Sequence, residues 1–343
     1  MKIYAYFLIL LLSLNHSAQE FSDIEFSAGH ISLAQWILPD QAPYPEDNKP
    51  NKARVELGKA LFFEPRLSRN ADMSCASCHN PLLGWSDGLP TSKGSKGHML
   101  SRAAPTIINT AFNSFQMWDG HKATLEEQAM IPLQTSEEMN ADMDRVFLWL
   151  NSNSGYKQLF EKAYPGEAIG EKTFSKALAS FERTLISNNS RFDQWIKGDT
   201  NALTAAEVEG FKVFVNPNKG NCAVCHSGNN FTDDGFHNVG LKSFGTKKPD
   251  LGRYNYVPLR LMKGAFKTPT VRDIGYSAPY FHDGSAKTLR EVIDFYERGG
   301  DVKTNLSPNM KALTLTEKDK ENLELFLLSL SSPVKAQVLP VLP

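Results

Sequence analysis

Apolar positions along this chain recur at helical rather than strand spacing. Over 52–63, Val55, Leu57, Ala60, Leu61 and Phe62 give one apolar face, and Pro65 stops the run. Over 171–186, Phe174, Leu178, Phe181 and Leu185 recur at helical spacing, the best amphipathic pattern of the first half. Shorter helical patterns cover 142–151 and 155–163, and helical or turn-like ones cover 103–112 and 125–131. A similar layout then returns. Thr204 and Glu207 form a capping box at the start of a helix to 215, with Phe211, Val213 and Phe214 on it. A helix over 288–298 stops at Gly299-Gly300. The last, 316–330, aligns Leu323, Phe326, Leu327 and Leu330. Pro39, Pro43, Pro45 and Pro50 break the segment 19–52, leaving room for a short helix around 31–37. Residues 80–102 and 227–287 read as long loops. Strand alternation is sparse, so the predicted fold class is mainly α.

A chain of 343 residues suggests two domains at roughly 150 each. The repeat agrees, with Asn188-Asn189-Ser190 as the seam. The expected organisation is an N-terminal extension, 19–52, packing on the body, a first domain, 53–188, and a second, 189–343. At 41% hydrophobic and 10% aromatic the chain can fill globular cores. A formal net charge of -1 gives no electrostatic case for nucleic acid. Residues 1–18 read as a signal peptide: Met1-Lys2, a short apolar run over 3–14, then His16-Ser17-Ala18 before Gln19. An uncleaved anchor is the rival reading. No later stretch approaches the ~20 apolar residues of a membrane span.

All four cysteines lie in two short runs, Cys75-Ala76-Ser77-Cys78-His79 and Cys222-Ala223-Val224-Cys225-His226. C-x-x-C-H is the attachment signature of a c-type haem. Two thiols add across the two vinyl groups, and the following histidine reaches the iron. Structural zinc is the rival for the same residues. It is the weaker account, because each pair brings its own histidine and the pairs lie far apart. Two haems in two halves are therefore expected. Thioether attachment belongs outside the bacterial cytoplasm, which agrees with export to the periplasm.

Leu57-Gly58-Lys59-Ala60-Leu61-Phe62-Phe63 leading to the first motif, then Trp118-Asp119-Gly120, then Pro279-Tyr280-Phe281-His282-Asp283-Gly284 resemble the bacterial dihaem cytochrome c peroxidase family, including its MauG-like branch. The likeness runs over about 52–332. It implies two cytochrome c-like haem domains, peroxidatic first and electron-transferring second, with His79 and His226 as proximal ligands. In most members a histidine in the loop after the first motif closes the first iron until reduction releases it. Counting back from Ala104-Pro105-Thr106, that slot is Ser95, after Gly94. His98 stands three residues on, either as a substitute ligand or as a solvated loop histidine. The expectation is an open distal side.

The resemblance maps Gln128 and Glu138 to that distal pocket, with Glu138 as acid and base. It places Trp118 between the haems as an electron relay, although Met117 before it replaces a common aromatic. Counting from His282, the distal methionine of most members is here Tyr296, as in the MauG-like branch. Met262 and Met310 are lesser substitutes. A calcium ion between the haems would take carbonyls of Ser277 and Pro279, with Ala103 where asparagine is usual. Arg272, His237 and His282 either pair with haem propionates or serve structure.

Three functions follow as expectations. The first is a periplasmic peroxidase that reduces hydrogen peroxide with electrons passed from the second haem to the first, supplied by a small cytochrome c or a cupredoxin. The second is MauG-like, peroxide-dependent oxidation of a protein or organic substrate through a high-valent dihaem state. The third is a non-catalytic dihaem electron carrier, against which Glu138, Gln128 and Ser95 argue. Gly220 stands where the methylamine-pathway enzyme has a tryptophan, two residues before the second motif, which argues against maturation of a tryptophan-derived quinone. A homodimer is a candidate assembly that the sequence does not decide.

Overall fold

The computed structural model describes residues 23–343, and the expected signal peptide lies outside the described residues. The chain order of helices is α1 (Lys52–Phe62), α2 (Cys75–Cys78), α3 (Leu125–Ala129), α4 (Ile131–Gln134), α5 (Met143–Ser152), α6 (Ser154–Ala163), α7 (Glu171–Glu182), α8 (Arg191–Ile196), α9 (Ala205–Val215), α10 (Leu289–Glu297) and α11 (Glu317–Ser329). Two short strands, β1 (Phe236–His237) and β2 (Phe266–Lys267), pair antiparallel. The fold is mainly α, and long loops join the helices.

Two differences from the sequence pattern have local causes. The helix expected to reach 186 ends at Glu182. Beyond it the backbone turns to another partner: the Asn109 N–H donates to the Leu185 carbonyl at 2.9 Å, and the Ser187 N–H donates to Asn109 Oδ1 at 2.9 Å. Helix α8 occupies what reads as a seam. Its signal is a capping box in which the Asp193 N–H donates to Ser190 Oγ and the Ser190 N–H to Asp193 Oδ2.

Apolar side chains gather in two cores. One holds Leu57, Leu61, Phe62, Leu133, Leu150, Tyr156, Phe174 and Phe181. The other holds Phe192, Phe211, Phe214, Phe231 and Phe326, and it takes Leu33 and Trp36 from the N-terminal segment. Each fully buried phenylalanine contributes about 1.5–3 kcal/mol of apolar transfer. The N-terminal segment then crosses to the first core, where Asn48 Nδ2 donates to the Lys176 carbonyl at 2.9 Å.

The same helix pair frames each core. In the first half α1 crosses α7, and in the second α9 crosses α11. A methyl group at Gly58 would overlap the Ala177 carbonyl, and one at Gly210 would overlap that of Asn322. Only glycine allows backbones this close. One helical turn on, Phe62 meets Phe181 and Phe214 meets Phe326, each with ring centroids 5.2 Å apart. Each C-x-x-C-H run follows the first helix of its pair.

The loops repeat too. Residues 103–128 match 267–292 without a gap. Asn109 and Asp273 are left-handed at φ 59° and 56°, and Met117 and Phe281 at 72° and 70°. Thr124 and Thr288 cap α3 and α10, accepting from the Glu127 and Glu291 N–H groups. The two loops bond each other reciprocally. The Ala103 N–H donates to the His282 carbonyl at 2.7 Å, and the Lys267 N–H donates to the Trp118 carbonyl at 2.7 Å. The two halves are therefore related by an approximate two-fold that passes between Trp118 and His282.

Candidate active site

Each C-x-x-C-H run forms one tight turn. The His79 N–H donates to the Cys75 carbonyl at 2.9 Å, and the His226 N–H donates to the Cys222 carbonyl at 2.9 Å. The turn brings both thiols and the imidazole of a motif into one neighbourhood. The four cysteines form no disulfide. Burial pushes the Cys75, Cys78 and Cys222 thiols up to about 12. Among the described residues the two pairs do not converge on one site. The group of candidate ligand atoms in mutual reach is instead Cys225, Asp233 and His237.

Both motif histidines are oriented from behind. His79 Nδ1–H donates to the Trp85 carbonyl at 3.1 Å, and His226 Nδ1–H donates to that of Phe231 at 3.2 Å. A carbonyl only accepts, so the proton is on Nδ1 and the Nε2 lone pair is free for a metal. Burial lowers the pKa of both rings, which keeps them neutral. This is the donor set that a haem iron requires.

A cavity of about 1110 Å³ opens in front of His79. Residues of both halves line it, among them Cys78, Gln128, Glu138, Trp118, Pro279 and His282. Its volume, its apolar walls and the half-buried His79 imidazole fit a haem. Gln128 comes from α3 and Glu138 from the turn after α4. Burial, reinforced by Glu137, raises the Glu138 carboxyl above the usual range.

The loop that carries Ser95 is fastened to that same turn. The Ser95 N–H donates to the Glu138 carbonyl at 2.7 Å, and Ser95 is buried. Gly94 packs on the Glu137 backbone so closely that a Cβ would overlap it. His98 is exposed at the cavity margin.

Trp118 Nε1–H donates to the Ala103 carbonyl at 2.9 Å. Its ring meets His282 edge to face, with centroids 6.3 Å apart. His282 in turn stacks on Phe266 at 3.6 Å, and burial lowers it to about 4. Beside Trp118, Arg102 Nη1 donates to Asp119 and its Nε to Asp250, each at 2.7 Å. Ala103, Ser277 and Pro279, expected around calcium, line the one cavity.

In the second half Tyr296 projects from α10 to the Phe281 and Phe295 rings, at 6.2 and 5.4 Å. Burial first, then Cys225 and Cys222, pushes its phenol up. Its hydroxyl makes no hydrogen bond among the described residues. Met262 lies in the turn Arg260–Met262. Met310 follows Asn309, whose Nδ2 reaches Cys225 Sγ at 3.8 Å.

The structure gives Arg272 a structural place. It is buried, pairs with Asp193 at 2.8 Å, and donates to the carbonyls of Asn229 and Trp36. Its guanidinium makes four hydrogen bonds inside the second core. His237 bonds Asp233 and Ser307, each at 2.9 Å. Pattern reading overlooked Glu182, a buried carboxyl on the cavity wall. Its place on the apolar side of α7 was the available signal.

The family model described as di-haem cytochrome c peroxidase matches residues 52–201. The methylamine utilization protein MauG of Methylorubrum extorquens is 42% identical over 313 residues, 90% of this chain and 87% of that one. The cytochrome c551 peroxidase of Pseudomonas aeruginosa is 33% identical over 316 residues, 89% of this chain and 86% of that one. A crystal structure of a MauG-like protein associated with microbial copper homeostasis superposes with a TM-score of 0.80 at 30% identity, covering 86% of this chain and 95% of that one. With that agreement over nearly the whole chain, the protein belongs to the di-haem cytochrome c peroxidase family, in its MauG-like branch, and is an oxidoreductase acting on peroxide.

Proposed function

We propose that Cys75 and Cys78, with His79, hold one covalent haem and that Cys222 and Cys225, with His226, hold another. Hydrogen peroxide is reduced at the first with electrons passed from the second. The observation that carries this reading is the inequality of two symmetry-related sites. Gln128 and Glu138 line the cavity at His79, whereas in the second half burial, and then the charges of Cys225 and Cys222, raise the phenol of Tyr296. When bound, haem supplies an iron position for peroxide at the first site and one-electron transfer at the second.

The chain's own groups do the remainder. His79 and His226 present Nε2 because their Nδ1 protons are held by backbone carbonyls. The Glu138 carboxylate takes a proton from the inner peroxide oxygen and returns it to the outer one, and its raised pKa suits both directions. Gln128 offers amide protons that position the peroxide. Trp118, fixed by its bond to Ala103, lies between the halves as the relay. Ser95, where most members have a histidine, would offer the first iron no ligand. Tyr296 would hold the second iron through its phenol oxygen. Carbonyls of Ser277 and Pro279, with water, take a calcium ion.

A small cytochrome c or cupredoxin of the periplasm is the proposed electron donor. Among the described residues no helix is long and apolar enough to cross a membrane.

A second reading, oxidation of a protein or organic substrate, is favoured by Tyr296. It does not extend to a tryptophan-derived quinone. A side chain at Gly220 would press on the Val213 carbonyl, so the tryptophan of the methylamine-pathway enzyme has no room there.

Electron paramagnetic resonance of the resting ferric protein, then peroxide without reductant, tests the main reading. One high-spin and one low-spin haem and a prompt response to peroxide are expected. Two low-spin haems and no response would defeat it. Turnover with reduced cytochromes separates peroxidase from substrate oxidation.

A further inference from the structure

We infer that Glu182 is a second proton-holding residue of the peroxide cavity, an inference that rests on the reading of the site above. Glu182 ends α7 and is 7% exposed. It lines one wall of a space shared with Cys75, Cys78, His79, Gln128 and Glu138. Its carboxyl makes no hydrogen bond and no ion pair among the described residues. The adjacent cation is already engaged: Arg183 Nη1 and Nη2 donate to Glu126 at 2.7 and 3.0 Å, and its Nε donates to the Pro43 carbonyl.

Burying a carboxyl without a partner is costly, and folding alone gives no reason for it here. The second half supplies the comparison. Phe181 and Phe326 occupy equivalent places over Gly58 and Gly210, so the residue after each is equivalent too. That residue is Glu182 in α7 and Leu327 in α11, and Leu327 is buried in the second core. The same helix pair thus accepts leucine where the second half has no peroxide cavity. Gln128 shows the same contrast, because its match in the second loop is Val292. At these two positions the polar group stands in the first half and the apolar one in the second.

The groups facing Glu182 are Arg183 beside it, Glu126 on α3, Cys75 on α2, and Glu138 and His79 across the space. Burial dominates and raises its carboxyl to about 8, so it carries a proton at neutral pH. Peroxide plus two electrons and two protons gives two waters. Glu138 only shifts a proton that peroxide already carries, so two more must enter the cavity. One comes from Glu182: its O–H bond breaks, an O–H bond of water forms, and the carboxylate is reprotonated from solvent. The electrons are those of the peroxidase donor.

The test compares Glu182→Gln, Glu182→Leu and Glu138→Gln in the holoprotein. Both Glu182 variants are expected to hold two haems with unchanged resting spectra, and Glu182→Leu to melt no lower than the parent. Infrared spectra of the resting protein should lose a protonated-carboxyl band in both. Turnover should fall about 100-fold, the alkaline limb near pH 8 should vanish, and Glu182→Asp should restore part of the rate. An unchanged infrared band overturns the inference. So do parent-like rates and pH profiles in both Glu182 variants while Glu138→Gln is crippled, and the site reading then stands. If Glu138→Gln turns over like the parent, the site reading falls and this inference with it.

Discussion

Trp118 and His282 hold equivalent positions in the two halves and meet edge to face, with ring centroids 6.3 Å apart. The backbone of each is bonded by the other half, His282 through Ala103 and Trp118 through Lys267. The contact therefore lies on the approximate two-fold, with one motif on either side. Its two members are chemically unequal. An indole gives up an electron more readily than an imidazole that burial keeps neutral.

Trp118→Phe keeps an aromatic ring but loses both the indole and its bond to Ala103. Peroxide turnover with a reduced donor should fall at least about tenfold, a barrier change of about 1.4 kcal/mol. Haem content and resting spectra should not change. Parent-like turnover would remove Trp118 from the electron path.

The helix crossings should respond alike to one methyl group. Gly58→Ala and Gly210→Ala each drive a Cβ into a carbonyl of the partner helix. Overpacking of this kind costs about 1–3 kcal/mol, somewhat offset by the better helix propensity of alanine. Denaturant titration of each variant measures it. A loss at one crossing and none at the other would contradict their equivalence.

Much of this architecture was legible in the sequence because it rests on local signals. The apolar face ending in Phe62 and the Thr204–Glu207 capping box lie in helices whose bounds agree with the pattern to within a residue. Helix α8 was missed because it is short and its capping pair, Ser190 and Asp193, sat inside a polar stretch that resembled a linker. The excess length given to α7 came from Leu185, which continues the periodicity although its carbonyl is bonded by Asn109. The Trp118–His282 contact needed long-range pairing that no pattern within one segment shows. Glu182 carried one local signal, its place on the apolar side of α7, but its meaning depends on comparison with Leu327, visible only after the helix pairs are superposed.

Asp119 links stability to acid. Burial alone would raise its carboxyl, but hydrogen bonds from His121 and Arg102 prevail and hold it at about 2. A carboxyl depressed from an unfolded value of about 3.9 stabilises the fold above that pH, and the contribution is lost as pH falls through about 2. Its size is about 2–3 kcal/mol. Unfolding free energy should therefore drop steeply between about pH 4 and pH 2. Asp119→Asn should flatten that slope and lower stability at neutral pH. Equal slopes in parent and variant would show that other carboxyls govern the acid transition.

The proposed ligation by Tyr296 would set the character of the second site. Its hydroxyl, without a hydrogen bond among the described residues, and the electrostatic influence of Cys225 and Cys222 on it support ligation, and an oxygen ligand favours ferric iron. Tyr296→Phe should alter the low-spin resonance signal, while Tyr296→Met should raise the second potential toward that of a Met/His pair. Potentiometric titration followed by optical spectra measures both. Met310 is the competing ligand, because Asn309 brings its segment to Cys225. If Met310→Leu changes the low-spin signal and Tyr296→Phe does not, the ligand is Met310. The second site would then be that of an ordinary peroxidase, and the argument from Tyr296 toward substrate oxidation would go with it.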